Sequence, residues 1–212
     1  GFNKLKTKKP IGHAIRAFSA SGCVVFYIYG INNLMLSENI AIAHSAPIIA
    51  AFLAVPILGE RIGILRTSAI LIGFIGVIII VKPGTDLFKL ESLYPLISAC
   101  FMASVYLSTR SVMSTDSSVA IIFYYSFALL ITSLIFFPKD FIMPNINQIL
   151  IASSLGVMGS LGHFFMSQAA KNADVAITSP FEYSSFIFVG LMGFLIFSEV
   201  PNYSIYLGGL II

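Results

Sequence analysis

The sequence predicts an all-α membrane protein, a polytopic helix bundle, and three observations carry that reading. Of 212 residues, 58% are hydrophobic and only 10% charged. A soluble domain carries about 25% charged residues, so this chain cannot build a water-facing shell and needs lipid as its solvent. The apolar residues also come in long unbroken runs, near the ~20 residues a helix needs to span a bilayer. They lack the alternation of a membrane barrel, and only helices and closed barrels satisfy their own backbone in lipid. The polar residues, finally, are gathered into short connections. Gly59-Glu60-Arg61, for example, separates the runs Pro47–Leu58 and Leu65–Val81.

The basic start, Lys4, Lys6, Lys8 and Lys9 closed by Pro10, reads as a juxtamembrane loop and not as a nucleic-acid patch, because span follows span after it. A first span is predicted over 17–35, with Asn32 and Asn33 near its end as interhelical glue or a cap. Ser37-Glu38-Asn39 reads as a loop. The second span, 41–58, carries His44 and Pro47 at its start, and Ala46, Ala50 and Ala54 give it a smooth face for close packing. The third, 65–81, contains Gly73 and Gly76 and stops at Lys82-Pro83-Gly84. Residues 82–92 form the longest polar connection and divide the chain into 1–84 and 85–212. The fourth span, 93–109, is stopped by Arg110, and Ser114 to Ser118 offer capping hydroxyls. The fifth covers 119–137, the sixth 149–170 and the seventh 175–197, interrupted by Pro180 and Glu182. The eighth begins at Tyr203. The chain opens without Met and stops at Ile212 inside an apolar run, so a piece of a longer protein is expected.

Successive spans alternate direction, so alternate connections share a face. One face then carries Lys4, Lys6, Lys8, Lys9, Arg16, Arg61, Arg66, Arg110 and Lys171, and the other only Lys82, Lys89 and Lys139. The excess marks the first face as cytoplasmic. The turn at Glu60 and the turn at Glu199 fall on opposite faces. Each follows a span rich in small residues, AFLAVPILGE and LMGFLIFSE, and each has a small residue, Ala69 or Gly208, at the same offset beyond it. Two such units of opposite orientation form an inverted repeat, the construction of many secondary transporters.

The stretches AHSAPIIAAFLAVPILGE and GFIGVIIIVKPG, then SPFEYSSFIFVGLMGFLIFSEVP and YLGGLII, resemble the EamA family of the drug/metabolite transporter superfamily. The likeness covers nearly the whole chain. It implies a bundle of two inverted five-helix repeats, of which about eight of ten spans are present here. Residues 1–84 would end the first repeat and 85–212 would form the second, its last span truncated. It also implies no enzymatic activity, no cofactor, a small-molecule substrate and a multi-pass place in the bacterial inner membrane. The segment Phe181-Glu182-Tyr183 followed by SEVP is similar to a narrower group, the S-adenosylmethionine uptake transporters. Related sequences carry riboflavin or amino acids.

Glu182 is the sharpest candidate for a substrate site. A carboxylate inside a span costs about 2.5–3.5 kcal/mol on insertion scales and generally faces a cavity or a partner. It would serve a cationic substrate or a coupling proton; the alternative is that it reaches water from the end of its span. Phe181 and Tyr183 beside it would hold an ammonium or sulfonium group by their faces. His163 shares a small-residue face with Gly156, Gly159 and Ser167, and either titrates toward the bundle interior or bonds a neighbouring helix. His44 reads as interfacial, Tyr124 and Tyr125 as packing or interface residues, and Glu60 and Glu199 as structural turn residues. Gly156, Gly159 and Gly162 sit inside a span and not at a strand–helix turn, so helix packing is expected of them and not a nucleotide loop. Cys23 and Cys100 show no metal or CxxC spacing and read as buried thiols. An intramembrane serine hydrolase using Ser160 and His163 is the rival of another class; it lacks a third group and oxyanion donors. A purely structural scaffold is disfavoured by the inverted repeat and by Glu182.

Overall fold

A computed structural model describes residues 7–58, 63–81, 89–113, 115–136, 142–172, 184–198 and 203–211. The described elements are α1 (Pro10–Asn33), α2 (Leu36–Ala43), α3 (Ala46–Leu58), α4 (Ile64–Val81), a 3-10 turn (Leu90–Ser92), α5 (Leu93–Met113), α6 (Ser118–Ile135), α7 (Ile146–Asn172), α8 (Ser184–Phe197) and α9 (Tyr203–Ile211). Among the described residues, five stretches are long and apolar enough to cross a membrane, and Leu36–Ile57, through α2 and α3, is one of them. The chain is a multi-pass helical membrane protein. Side chains such as Phe127, Leu134, Leu150 and Leu155 stand exposed on the outside, as lipid-facing residues do.

Several helix ends depart from expectation. α1 begins at Pro10, where a proline's missing N–H is no loss. His13 and Arg16 therefore lie inside the helix, and both are buried. A span starting at 17 leaves both outside it, because a charged or titratable residue is ordinarily met at the interface. Ser37-Glu38-Asn39 is likewise helical, as part of α2, and all three residues are buried. Glu38 is tolerated there because Lys89 Nζ donates to it at 2.9 Å. Arg110 lies in the last turn of α5 and does not stop it. Asn32 and Asn33 are exposed, and Asn33 Nδ2 donates to Tyr29 O at the end of α1.

The chain divides into two compact units, Gly1–Ser21 with Ser108–Thr178, and Gly22–Leu107 with Ser179–Ile212. In the first, α6 packs on α7. Gly12 lets α1 approach Val112 of α5, whose Cγ2 would lie 2.7 Å from an added Cβ. Ser117 caps α6 as its sequence suggests, accepting from Ala120 N at 3.2 Å. In the second unit, α4 packs on α9, α2 and α3. Its core joins Ala41 and Ile42 of α2 to Val77, Ile80 and Val81 of α4. Ala46, Ala50 and Ala54 are all buried, so the smooth face read from their spacing is real. Gly73 of α4 receives the Ile48 side chain of α3.

Gly156, Gly159 and Gly162 do not pack as expected, for a Cβ on any of them meets nothing within 4 Å. Among the described residues nothing covers their side of α7, and a small-residue stripe needs a facing helix to become a contact. Cys100 is also exposed, whereas Cys23 is buried. A contrast follows between two glycine-to-alanine variants. At Gly30 a new Cβ would collide with the Asn39 side chain, with Pro95 Cδ next at 3.3 Å. Overpacking of that kind costs about 1–3 kcal/mol, more than the roughly 0.5–1 kcal/mol alanine gains over glycine in a helix. Gly30→Ala should lower the apparent Tm in detergent, while Gly156→Ala should hold or raise it; equal effects would contradict this packing.

Candidate functional site

α1 carries its functional side chains on one stripe. His13, Arg16, Ala20, Cys23, Tyr27 and Gly30 recur at spacings of three and four, which place them along one helix face. All but Tyr27, which is half-buried, are buried. Toward the C-terminal part of the stripe, in the second unit, lies a cavity of about 230 Å³ lined by Cys23, Tyr27, Ile40, Ala43, His44, Ala46, Pro47, Ser98, Ala99, Met102 and Tyr106.

The cavity exists because one span is broken. α2 stops at Ala43 and α3 starts at Ala46. Three groups make the break. His44 Nδ1 donates to Ile40 O at 2.8 Å, closing α2. Ser45 Oγ donates to Ile42 O at 2.7 Å, tightening the turn. Pro47 has no N–H to offer an upstream carbonyl, which is harmless in the first turn of α3. Opposite the break, Ser98 of α5 donates to Cys23 O at 2.9 Å and lies 3.4 Å from its thiol, tying α5 to α1. The lining combines two tyrosines, a thioether, a thiol and an imidazole. Such a wall suits a flat or cationic metabolite, held by ring faces and polarizable sulfur.

The N-terminal part of the stripe, in the first unit, meets a buried polar network centred on Asp116. Its carboxylate accepts from Lys8 N at 3.1 Å, Thr115 Oγ1 at 2.9 Å and His13 Nε2 at 2.9 Å. Thr7 adds a further side-chain bond. Burial pushes the carboxyl up, but the bonds from Thr7, Lys8, His13 and Thr115 together outweigh it and hold the group below the usual carboxylate range. An ionised carboxylate can only accept, so His13 carries its proton on Nε2. One turn along, Arg16 Nε donates to Thr109 Oγ1 at 2.8 Å and Nη1 to Ile121 O at 2.9 Å. Its guanidinium lies 5.0 Å from the Tyr125 ring centre, and the His163 ring lies 4.2 Å from the same ring.

Of the residues singled out from sequence, His163 is half-buried against Tyr125. Phe181, Glu182, Tyr183, Glu60 and Glu199 lie outside the described residues. His44 is not merely interfacial but lines the cavity at the helix break. Tyr124 and Tyr125 pack as expected, their rings against His13 at 4.5 Å and His163 at 4.2 Å. Ser160 Oγ donates to Gly156 O of its own helix, not to His163, so no nucleophile–base pair is formed there. Sequence reasoning missed His13, Arg16, Asp116, Tyr27 and Tyr106. The three-four spacing along α1 was the available signal for three of them.

A multi-pass bundle with a discontinuous span opening on a cavity has the architecture of a carrier. The chain belongs to the EamA-like transporter family, whose sequence pattern matches residues 2–82 and 90–212. An S-adenosylmethionine uptake transporter of Rickettsia felis is 28% identical over 212 residues, covering 100% of this chain and 72% of that protein. A riboflavin transporter of Vibrio cholerae is 30% identical over 210 residues, covering 98% of this chain and 70% of its own length. A protein solved by crystallography shares the fold at 15% identity, with a TM-score of 0.69 over 99% of this chain and 75% of that one.

Because the folded Asp116 carboxyl is held low, it contributes stability that is complete above the ordinary carboxyl range near ~4. That contribution is lost as pH falls through the folded value. Asp116→Asn should remove roughly 1–3 kcal/mol at neutral pH, the scale of hydrogen bonds to a charged group. Thermal unfolding of the two proteins at pH 7.5 and at a pH below 3 checks it: the gap between them should narrow at the lower pH.

Proposed function

We propose that the protein is a secondary transporter that takes up S-adenosylmethionine across the bacterial inner membrane by alternating access. The observation that carries a transport site is the break between α2 and α3, which opens the cavity between Tyr27, His44 and Tyr106. The likeness to the Rickettsia felis protein supports the choice of substrate. A sulfonium needs aromatic or anionic neighbours. In this reading the cavity's tyrosines supply the first, and Glu182, flanked by Phe181 and Tyr183, supplies the second; His163 is a further candidate substrate contact.

The repeats are residues 1–84 and 85–212, inverted with respect to each other, with Glu60 and Glu199 as their matching turns. The sequence alignment of those turns supports this, and rocking of one repeat against the other would expose the site to each face in turn. The basic excess at the face of Lys4 to Lys9 supports a cytoplasmic position for it. Riboflavin is the second reading. The Vibrio cholerae relative favours it, and a flat isoalloxazine ring would stack in the same aromatic cavity.

Cells expressing the full-length protein should accumulate labelled S-adenosylmethionine above a vector control. Accumulation of riboflavin instead would move the assignment to the second reading, and accumulation of neither would sink both. Tyr27→Leu and Tyr106→Leu should each raise KM at least about fivefold, the scale of one lost cation–π contact of ~1 kcal/mol or more. Glu182→Gln should abolish uptake of the cation and spare that of a neutral substrate; normal S-adenosylmethionine uptake by this variant would remove Glu182 from the site.

A further inference from the structure

Arg16 lies inside α1, a helix long and apolar enough to cross the membrane, and is 3% exposed. A charge so placed generally faces a partner or a polar cavity. Among the described residues no carboxylate pairs with it. Glu38 is bonded to Lys89, and Asp116 to Lys8 N, Thr115 and His13. Glu91 stands exposed at the 3-10 turn of the second unit. The guanidinium is also only partly used. Nε donates to Thr109 Oγ1 and Nη1 to Ile121 O, while Nη2 finds no acceptor among the described residues. We propose that Arg16 forms an oxyanion-binding site, its open N–H edge taking a carboxylate or phosphate group.

Both acceptors that hold the guanidinium are neutral, a hydroxyl of α5 and a main-chain carbonyl of α6. They fix the head in place and leave its charge unanswered. The head lies over the Tyr125 ring, 5.0 Å from its centre, and the His163 ring stands 4.2 Å from the same ring. A guanidinium stacked on a ring keeps its N–H edge for acceptors, and that planar fork matches the paired oxygens of a carboxylate or phosphate. A buried N–H without an acceptor carries its full desolvation penalty, so the site gains most from an anion that accepts hydrogen bonds. Arg16, Thr109, Ile121, Tyr125 and His163 all belong to the first unit. The bonds to Thr109 and Ile121 O are enough to tie α1 to α5 and α6, and the Nη2 donors are surplus to that task.

Two sources supply this chemistry, the carboxylate of a metabolite and a free anion such as phosphate. S-adenosylmethionine carries an α-carboxylate and riboflavin none. Under the transport reading the occupant is therefore the carboxylate of the substrate. That choice of occupant rests on the transport reading; the site itself does not.

Thermal unfolding of the purified full-length protein tests the site without substrate. At equal ionic strength, acetate or phosphate in place of chloride should raise the wild-type Tm by about 2–5 °C at about ten times Kd, by mass action. Arg16→Gln should show no such rise. Thr109→Val, which removes a tie and keeps Nη2, should lower Tm and retain the rise. Should Arg16→Gln misfold, Arg16→Lys replaces it, keeping the charge without the fork; acetate should bind it about fivefold more weakly, and unchanged affinity overturns the fork. Binding of S-adenosylmethionine and of its decarboxylated analogue then separates the sources. A substrate carboxylate at Arg16 makes the first at least about tenfold tighter in the wild type, the scale of a charged hydrogen bond. The two bind Arg16→Gln equally, and acetate competes with the first alone. An anion response with equal wild-type affinities supports the site with a free anion as its occupant. An anion response with no binding of S-adenosylmethionine overturns only that substrate. Equal Tm in chloride, acetate and phosphate, or a rise that persists in Arg16→Gln, overturns the site.

Discussion

The inward stripe of α1 is the constraint on which the rest of the molecule depends. In lipid, apolar contact between helices gains little over contact with lipid tails, so burial of Leu and Ile does not fix which way a helix faces. Polar groups do. His13 is bound to Asp116, Arg16 to Thr109 and Ile121 O, and Cys23 to Ser98. Turning α1 away would point an arginine and a histidine at hydrocarbon, at several kcal/mol for the arginine alone. The rotation of α1 is therefore set by its minority of polar residues, and α5 and α6 take their positions from the partners they supply.

The same economy explains the cavity. The apolar stretch 36–57 is interrupted at His44 and Ser45, between α2 and α3. Pro47 removes one donor, and Ser45 and His44 turn their side chains back onto Ile42 O and Ile40 O. Both carbonyls also accept main-chain N–H groups, from Ser45 and His44, so each carries two bonds at the break. The break is held by local bonds, and the start of α2 by an ion pair between Glu38 and the half-exposed Lys89. A cavity between a broken helix and two continuous ones is then the direct result of placing Pro47 near the beginning of a span.

The spans were legible because lipid imposes length and hydropathy on each segment, and both survive in sequence. The close face of Ala46, Ala50 and Ala54 was legible for the same reason, small residues recurring at helical spacing. What failed was the treatment of charge. The sequence puts Arg16 outside the first span, Ser37-Glu38-Asn39 in a loop and Asp116 in the connection before the fifth span, because a polar residue in a membrane protein is usually found at water. Three of the charged partners are instead found over a long sequence separation, Glu38 with Lys89, His13 with Asp116, and Arg16 with Thr109 and Ile121 O. Pairing between distant segments leaves no local pattern to read. The glycines of α7 failed in the opposite sense, since a smooth face shows that a helix can pack closely but not that a neighbour is present.

Those long-range pairs also bear on the direction of the chain. Alternation of spans put the N-terminal segment with the α5–α6 connection on one face, and Glu38 with residues 82–92 on the other. The bonds of Lys8 to Asp116 and of Lys9 to Ser111 join the first two segments, and the bond of Lys89 to Glu38 joins the second two. A single span missed or added would have broken one of these pairings. The charges therefore carry two kinds of information at once. Their excess on one side speaks to orientation, and their individual partners hold the helix ends in register. Lys8 and Lys9 do both, through a main-chain N–H to Asp116 and an ammonium to Ser111 O on the same short segment.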